Sequence, residues 1–392
     1  MDSLYLTWQY VVFHKIKTLI LVACVTLIAT LPLALELLLR ESEQQFLARA
    51  AATPLVLGAK GSTLELVMNS LYFSTETPET LSMATMHQVM TSNLALPIPL
   101  YVRFQARGFP IVGTTFDYFD FRGLRIAAGR PLTILGECVI GATVAERLRL
   151  KPGDSLISAP ENLFDLAGAY PLKMQVVGVL QKAYTADDLA VFVDLHTTWV
   201  IAGLGHGHQE LAHTTDTTVL LQRSDTSVTA NAKLQLYTEV TADNVDTFHF
   251  HGDAATYPLT AVSAVPHDAK SATLLRGRYL ARETPHHMVR PKDVVDRLLA
   301  EIFRIKNVLD AVVLVVSGAT VLAIALIFAL SLRLRQKEMT TIFQLGCRRR
   351  TIARLLASEM LIIACLSGAL CTGVLVVLAH VDSDLVRLWM VR

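Results

Sequence analysis

The residues of this sequence best suited to bind a ligand are histidines, and ten of its twelve histidines lie between residues 40 and 306. They include two short groups, His206, His208 and His213 in the first and His249 and His251, with Asp253, in the second. In an extended strand His249 and His251 share one face about 7 Å apart, a spacing that allows a shared metal ion. Because a zinc site needs three or four converging ligands, the sequence indicates zinc or copper only if these residues meet. The alternative is solvated loop histidines in the first group and strand packing in the second.

Catalytic motifs are missing from the sequence. It has no GxSxG, HExxH or CxxC motif, and Gly58–Thr63 lacks the glycine spacing of a nucleotide-binding loop because Lys60 precedes its second glycine. We expect Asp187 and Asp188 to form an exposed acidic pair at a turn rather than a catalytic dyad. The sequence therefore predicts no catalytic residue and a chain that is not an enzyme.

Apolar residues are concentrated in three blocks of the chain, of which 52% is hydrophobic and 18% charged. A membrane-spanning helix needs about 20 apolar residues. We therefore predict transmembrane helices over residues 18–39, 307–333 and 355–380. The first is predicted to be an uncleaved signal anchor, since no small-residue cleavage site follows it directly. The net charge of +1 gives no sign of a nucleic-acid partner.

Basic residues predict how these helices are oriented. The segment 334–354 is rich in arginine and has a single acidic residue, Glu338, so it should be a cytoplasmic loop. The amphipathic segment 1–17 contains two lysines near its end and should be cytoplasmic as well. Three spans then place the domain at 40–306 and the tail at 381–392 outside the cytoplasm.

The region 40–306 is predicted to be a mixed α/β domain held between helical stalks, which makes the chain an α+β membrane protein. The stalks are predicted at 41–52 and 291–307, where Pro291 suits a first helical turn. Predicted strands are 101–115 with a turn at Gly108, 138–141, 155–158, 172–180, 189–194, 219–222 and 260–265, and predicted short helices are 142–150 and 196–202. The segment 203–215 is predicted to be a linker that could divide the domain into two lobes.

Three segments resemble a known family. The run from Glu137 to Ser155, ECVIGATVAERLRLKPGDS, is similar to the strand, helix and turn at the core of MacB-type periplasmic domains. The run LKMQVVGVLQKAYTADDLAVFVDLHTTWVIAGL resembles the part that follows in that family. The run from Arg335 to Leu361, RQKEMTTIFQLGCRRRTIARLLASEML, resembles its cytoplasmic segment. Together with the order of spans and domain, the resemblance to MacB/FtsX-type permeases covers nearly the whole chain.

The resemblance implies a permease subunit of a bacterial ABC complex of the type VII, mechanotransmission class. It implies a multi-pass protein of the inner membrane with a MacB-like core domain in the periplasm, which moves a lipid, lipoprotein, peptide or other envelope substrate. ATP and Mg would bind to a separate LolD- or MacB-like ATPase subunit. Further implied partners are a second permease copy or a paralogue, the lipid membrane, and a periplasmic adaptor or substrate protein. The alternatives are an FtsX-like regulator of a periplasmic enzyme and metal-related transport through the histidine groups.

The chain departs from the family at its third span. A fourth span usually follows, but His380–Arg392 is too short and too polar to cross a bilayer. We expect either a branch of the family with three spans or a shortened chain.

The resemblance places the contact with the ATPase in the cytoplasmic loop. Residues 338–344 can form a short amphipathic helix that Gly346 would end. The predicted coupling residues are Arg335, Lys337, Glu338, Leu345, Gly346, Arg348, Arg349 and Arg350. The alternative is that the arginines only anchor the loop at anionic lipid headgroups.

Overall fold

The computed structural model describes residues 2–13, 15–160, 171–207, 220–223, 228–230, 238–241, 243–280, 284–334, 340–341, 344 and 349–389. The predicted coupling residues at 335–339, 342–343 and 345–348 lie outside these ranges, as do His208 and His213. The chain divides into two compact units, one formed by Met1–Phe46 with Leu299–Arg392 and the other by Leu47–Leu298.

Two long helices, Lys15–Ala52 and Pro291–Leu334, each carry residues of both units. The α-helices are α1 Asp2–Phe13, α2 Lys15–Ala52, α3 Thr63–Tyr72, α4 Met83–Thr91, α5 Phe116–Arg122, α6 Ala142–Leu148, α7 Leu195–Ile201, α8 Ala269–Arg278, α9 Pro291–Leu334 and α10 Arg349–Trp389. The predicted stalks are confirmed as helix, since 41–52 falls within α2 and 291–307 within α9.

Seventeen strands are formed by the described residues, all in the unit Leu47–Leu298. They are β1 Leu55–Ala59, β2 Leu81–Ser82, β3 Ala95–Ala106, β4 Phe109–Thr114, β5 Ile126–Gly129, β6 Glu137–Ile140, β7 Ser155–Ile157, β8 Leu172–Leu180, β9 Val191–Asp194, β10 Gly205–Gly207, β11 Leu220–Arg223, β12 Val228–Ala230, β13 Thr238–Glu239, β14 Phe248–Phe250, β15 Pro258–Leu259, β16 Ala261–Pro266 and β17 His286–Val289.

An eleven-stranded mixed sheet forms the centre of this unit. Its order is β13-β8-β6-β9-β4-β3-β16-β1-β17, and β5 and β7 also pair with β8. The pairs β6–β8, β4–β9 and β13–β8 are parallel and the others antiparallel. All residues of β6 are buried, as are Val191, Phe192 and Val193 of β9. The near-continuous apolar sequence of these strands fits their position between covered faces of the sheet.

The predicted mixed α/β domain is confirmed in most of its elements. The hairpin expected over 101–115 is β3 and β4, joined at Gly108, whose φ of +84° is the left-handed conformation that glycine adopts without steric cost. The strand predicted at 172–180 is β8, and the helices predicted at 142–150 and 196–202 are α6 and α7.

The predicted linker at 203–215 is wrong in its first part. Gly205–Gly207 is strand β10, which pairs with β14 inside the single compact unit Leu47–Leu298. The glycines have a packing role: a Cβ on Gly205 would lie 2.7 Å from the Phe250 ring, and one on Gly207 would lie 2.7 Å from the Phe248 ring. The rest of the predicted linker lies outside the described residues.

The apolar helices of the other unit match the predicted spans only in part. Among the described residues, one helical stretch is long and apolar enough to cross a membrane. It is Ala357–Leu378 of α10, with a mean hydropathy of 2.6. Shorter apolar stretches occur at Thr18–Ala34 and Leu314–Ala323, within the other two predicted spans. Helix α2 packs on α10, since Thr30 Oγ1 donates to Cys371 Sγ at 3.3 Å and Ser367 Oγ donates to the Val22 carbonyl at 3.5 Å.

Candidate functional site

The end of α2 is fixed to the sheet domain by a buried ion pair. Arg49, in the last turn of α2, donates from Nη1 to Asp187 Oδ2 at 2.6 Å and from Nη2 to Asp187 Oδ1 at 3.0 Å. The two side chains are 8% and 2% exposed. Because two parallel N–H···O bonds fix both distance and direction, this pair sets the position of the helix end more tightly than one point charge could.

Further side chains complete the site around Asp187. The Tyr118 hydroxyl of α5 donates to Asp187 Oδ1 at 2.7 Å and accepts from Arg49 Nη2 at 3.1 Å, and Thr185 Oγ1 donates to Asp187 Oδ2 at 2.8 Å. Arg49 Nε donates to the Leu71 carbonyl. The carboxylate therefore accepts four hydrogen bonds, which is what a charge removed from water requires.

The electrostatics of the site keep Asp187 ionised. Burial alone would raise the pKa of Asp187, but the charge and hydrogen bonds of Arg49, with the hydrogen bonds of Tyr118 and Thr185, lower it to about 2. Burial, together with the charge of Asp187, raises the pKa of the Tyr118 hydroxyl, so this group stays protonated and can donate. The arrangement holds charge in place, and nothing in it resembles a nucleophile paired with a base.

The predicted exposed acidic pair at Asp187 and Asp188 is therefore wrong, because both residues are 2% exposed. Asp188 turns away from the ion pair and accepts the backbone N–H groups of Ala183 at 2.9 Å and Tyr184 at 2.6 Å. Burial raises the pKa of Asp188 despite these bonds. The sequence showed two adjacent acids at a turn, but it did not show that Arg49 neutralises one of them from 138 positions away.

One glycine of the motifs that resemble the MacB family supports this site. A Cβ on Gly141 would lie 2.4 Å from the Asp187 carbonyl oxygen and from the Asp188 backbone. Only glycine allows the backbones to approach this closely, so Gly141 lets the segment that bears Asp187 lie against the start of α6.

Aromatic packing surrounds the ion pair. Phe192 of β9 lies at ring-centroid distances of 6.2 Å from Phe73, 5.7 Å from Tyr118 and 5.3 Å from Phe119. The Arg49 guanidinium lies 5.6 Å from the Phe73 ring centroid. These contacts exclude water from the ion pair and join it to β9, a central strand of the sheet.

The structure brings together three of the predicted metal ligands, His206, His249 and His251. Their candidate ligand atoms all lie within 4.8 Å of one another. Asp253, which was predicted to join them, is not in this group because its Oδ1 accepts the Ala255 N–H at 2.9 Å and caps a short helical turn.

The predicted coupling residues are described at two positions only. Arg349 and Arg350 form the first turn of α10, and Arg350 is exposed. Their role in coupling stays a prediction, as does that of the remaining six residues.

Comparison with solved structures finds weak overall likeness. The periplasmic region of MacB from Actinobacillus actinomycetemcomitans is 10% identical, with a TM-score of 0.35, over 63% of this chain and 92% of that chain. The extracellular domain of the noncanonic ABC-type transporter YknZ from Gram-positive bacteria is 13% identical, with a TM-score of 0.33, over 60% and 98%. A domain of a putative permease protein from Porphyromonas gingivalis is 10% identical, with a TM-score of 0.26, over 55% and 78%. No curated protein matches the chain significantly.

The family described as MacB-like periplasmic core domain matches residues 22–237, more than half of the chain. The match includes the segments 137–155 and 172–204, so it confirms the resemblance predicted from those motifs. This chain belongs to the MacB-like periplasmic core domain family.

Proposed function

We propose that this chain is the permease subunit of a bacterial ABC complex, in which a separate ATPase hydrolyses Mg-ATP and the permease converts this into motion of its periplasmic domain. The observation that carries the proposal is the buried Arg49–Asp187 ion pair at the end of α2, in a chain of the MacB-like family. A helix whose end is held in the core of a domain can transmit a push or a pull to it.

Helix α2 has the length and the attachment for this task. Its 38 residues extend about 57 Å at about 1.5 Å per residue, and it contains the predicted first span. Arg49 in its last turn holds Asp187, which lies in the short helical turn just before β9. A displacement of the helix end would therefore reach a central strand of the sheet rather than an exposed loop.

Helix α9 offers a second connection of the same kind. It begins at Pro291, directly after edge strand β17, and Val295 in its second turn is 1% exposed. Both chain connections of the domain are thus continuous helices with buried contacts at the domain end.

We propose three membrane spans, within 18–39, 307–333 and 355–380. Support comes from the apolar stretch Ala357–Leu378 and from large apolar side chains that are exposed on each helix, such as Leu27 at 75%, Leu314 at 74% and Val377 at 61%. Exposed apolar surface of this extent is typical of a face that contacts lipid or a partner protein. The cytoplasmic side would then carry the coupling segment 334–354 and the outer side the cargo, a lipid, lipoprotein, peptide or other envelope substrate.

Co-purification tests this proposal directly. The full chain is expressed together with its genomic neighbours, extracted in mild detergent and isolated through a tag on this chain. We expect an ATPase subunit in the complex, with Mg-dependent hydrolysis that is absent when the chain is purified alone. A complex without any ATPase subunit would contradict the proposal. A bound periplasmic hydrolase would favour regulation of an enzyme, whereas a bound lipid would favour transport.

A further inference from the structure

We propose that His206, His249 and His251 form a binding site for one divalent transition-metal ion of the borderline class, zinc or copper. The three imidazoles come from two neighbouring strands and the residue after one of them. The inference depends on local geometry alone and would stand if the transport function proposed above failed.

The fold brings these side chains to one face. In the β10–β14 pair, His206 lies directly opposite His249, while Gly205 lies opposite Phe250 and Gly207 opposite Phe248. Side chains alternate between the faces of a strand. Phe248 and Phe250 pack against the hydrophobic core, so the histidines face the other way. The two glycines make room for the phenyl rings. His206 is therefore the only residue of β10 with a side chain larger than a hydrogen atom.

A third histidine joins because the pairing extends past β14. The backbone N–H of His251 donates to the Leu204 carbonyl at 3.1 Å, and its carbonyl accepts the Tyr257 hydroxyl at 3.1 Å. His251 therefore has the same orientation as His249, two positions earlier. The ring centroids of the three histidines lie 4.6–4.8 Å apart in all three pairs.

These distances suit a shared metal ion. Two nitrogens bound to one tetrahedral zinc lie about 3.3 Å apart, given Zn–N distances of about 2.0–2.1 Å. The candidate ligand atoms are already within 4.8 Å of one another. Side-chain rotations that move each nitrogen by about an ångström would bring them to the spacing of zinc ligands.

A backbone carbonyl lies next to the ring of His249. His249 Nδ1 lies 3.4 Å from the Thr247 carbonyl oxygen, an acceptor that favours the tautomer with hydrogen on Nδ1. In that tautomer, Nε2 is the ring nitrogen of His249 whose lone pair can bind a metal ion. A ligand histidine that donates its other N–H to a backbone carbonyl is the usual outer-shell arrangement of protein metal sites.

The position of the cluster predicts an exchangeable ion. His206 and His251 are exposed and His249 is half-buried. Three protein ligands leave a fourth position of a tetrahedral ion open for water or for a group from another molecule. The site therefore fits a metal that is acquired and released more readily than one buried as a structural staple.

Metal titration of the full chain tests this inference. The protein is purified in detergent through a tag without histidine and freed of metal, and Zn²⁺ or Cu²⁺ is added in competition with a chromophoric chelator. We expect one ion per chain. We also expect the Cu²⁺-loaded protein to show nitrogen hyperfine structure in its electron paramagnetic resonance spectrum.

Variants locate the bound ion. His206→Ala and His251→Ala change exposed positions, and each should weaken binding at least about tenfold, the lower end of the loss seen for removal of an outer-shell partner. His87→Ala removes an exposed histidine of α4 and should bind as the unchanged chain does. The inference is overturned if the unchanged chain binds neither ion more tightly than about 100 μM, or if His206→Ala and His251→Ala bind like His87→Ala.

Discussion

Arg49 and Asp187, which lie 138 positions apart in the sequence, form a bidentate ion pair with N···O distances of 2.6 and 3.0 Å. Arg49 ends a helix that begins in an apolar segment, and Asp187 precedes a central strand of the domain. Both residues belong to the unit Leu47–Leu298, so the pair fixes the end of this helix to the sheet of that unit. Because the pair is buried, removal of either side chain should destabilise the fold. The charge that remains in the interior is neither hydrated nor paired.

Replacement of Asp187 by alanine should destabilise the domain strongly. The change leaves the Arg49 guanidinium buried beside Tyr118 without a counter-charge, a loss of about 3–5 kcal/mol. We expect the thermal midpoint of the detergent-purified chain, followed by circular dichroism, to fall by at least about 6 °C.

An exposed ion pair supplies the control for this change. Lys182 Nζ lies 3.3 Å from Glu146, but the two side chains are 37% and 58% exposed. Such pairs contribute about 0–1 kcal/mol, so Lys182→Ala should shift the midpoint little. Equal shifts for Lys182→Ala and Asp187→Ala would refute a special role for the buried pair.

Acid should remove the contribution of Asp187 to stability. Its pKa in the folded protein is about 2, below the ordinary value of 3.8, so its stabilisation of about 2 kcal/mol is present above pH 4 and is lost as the pH falls toward 2. Glu137 also has a lowered pKa, because its bonds to Arg130 outweigh its burial, and it titrates in the same direction. The difference in stability between the unchanged chain and Asp187→Asn isolates Asp187. We expect that difference, measured by denaturant unfolding, to shrink between pH 5 and pH 2.

Local patterns were sufficient to predict much of the domain. The alternation around Gly108 predicted the β3–β4 hairpin, and the run of apolar residues at 172–180 predicted β8 with its observed bounds. These elements are determined by residues near one another in sequence. The same holds for the stalk at 291–307, where helical spacing of apolar residues and the leading Pro291 were enough.

Such local patterns could not predict contacts between residues that are distant in the sequence. Asp187 and Asp188 were predicted to be exposed because two adjacent acids are usually solvated, and Arg49 in an apolar helix gave no sign of its partner. The histidine groups could be recognised in the sequence, but only the register of β10 against β14 shows that His206 meets His249 while Asp253 does not join them. The register depends on contacts between two strands whose histidines lie 43 positions apart in the sequence. Local sequence patterns do not reveal such contacts.

Replacement of Gly141 by alanine should displace the backbone that bears Asp187 and so disturb the ion pair. The added Cβ of Gly141→Ala would lie 2.4 Å from backbone atoms of Asp187 and Asp188, which cannot rotate away. We expect a loss of about 1–3 kcal/mol in the free energy of unfolding, as for other overpacked positions. Gly277→Ala is the matched control, since its Cβ meets nothing within 4 Å in helix α8 and alanine favours helix. The expectation fails if both variants are equally stable.

The arginines at the start of α10 should contribute more than charge. If Arg349 and Arg350 contact the ATPase through planar, two-bonded pairs, lysine cannot replace them fully. If they only anchor the loop to anionic lipid, lysine should serve equally well. We expect the double variant Arg349→Lys, Arg350→Lys to insert normally and to reduce the ATPase activity of the co-purified complex. Activity equal to that of the unchanged complex would favour lipid anchoring alone.

Reporter fusions should reveal an odd number of spans. Three spans with a cytoplasmic N-terminus place the C-terminus after Arg392 outside the cytoplasm, so an alkaline phosphatase fused there should be active and a green fluorescent protein dark. Fusions within the loop 334–354 should behave in the opposite way, because this arginine-rich segment is expected to stay inside. Fluorescence from the C-terminal fusion would instead show an even number of spans, and it would require a span beyond those at 18–39, 307–333 and 355–380 or the loss of one of them.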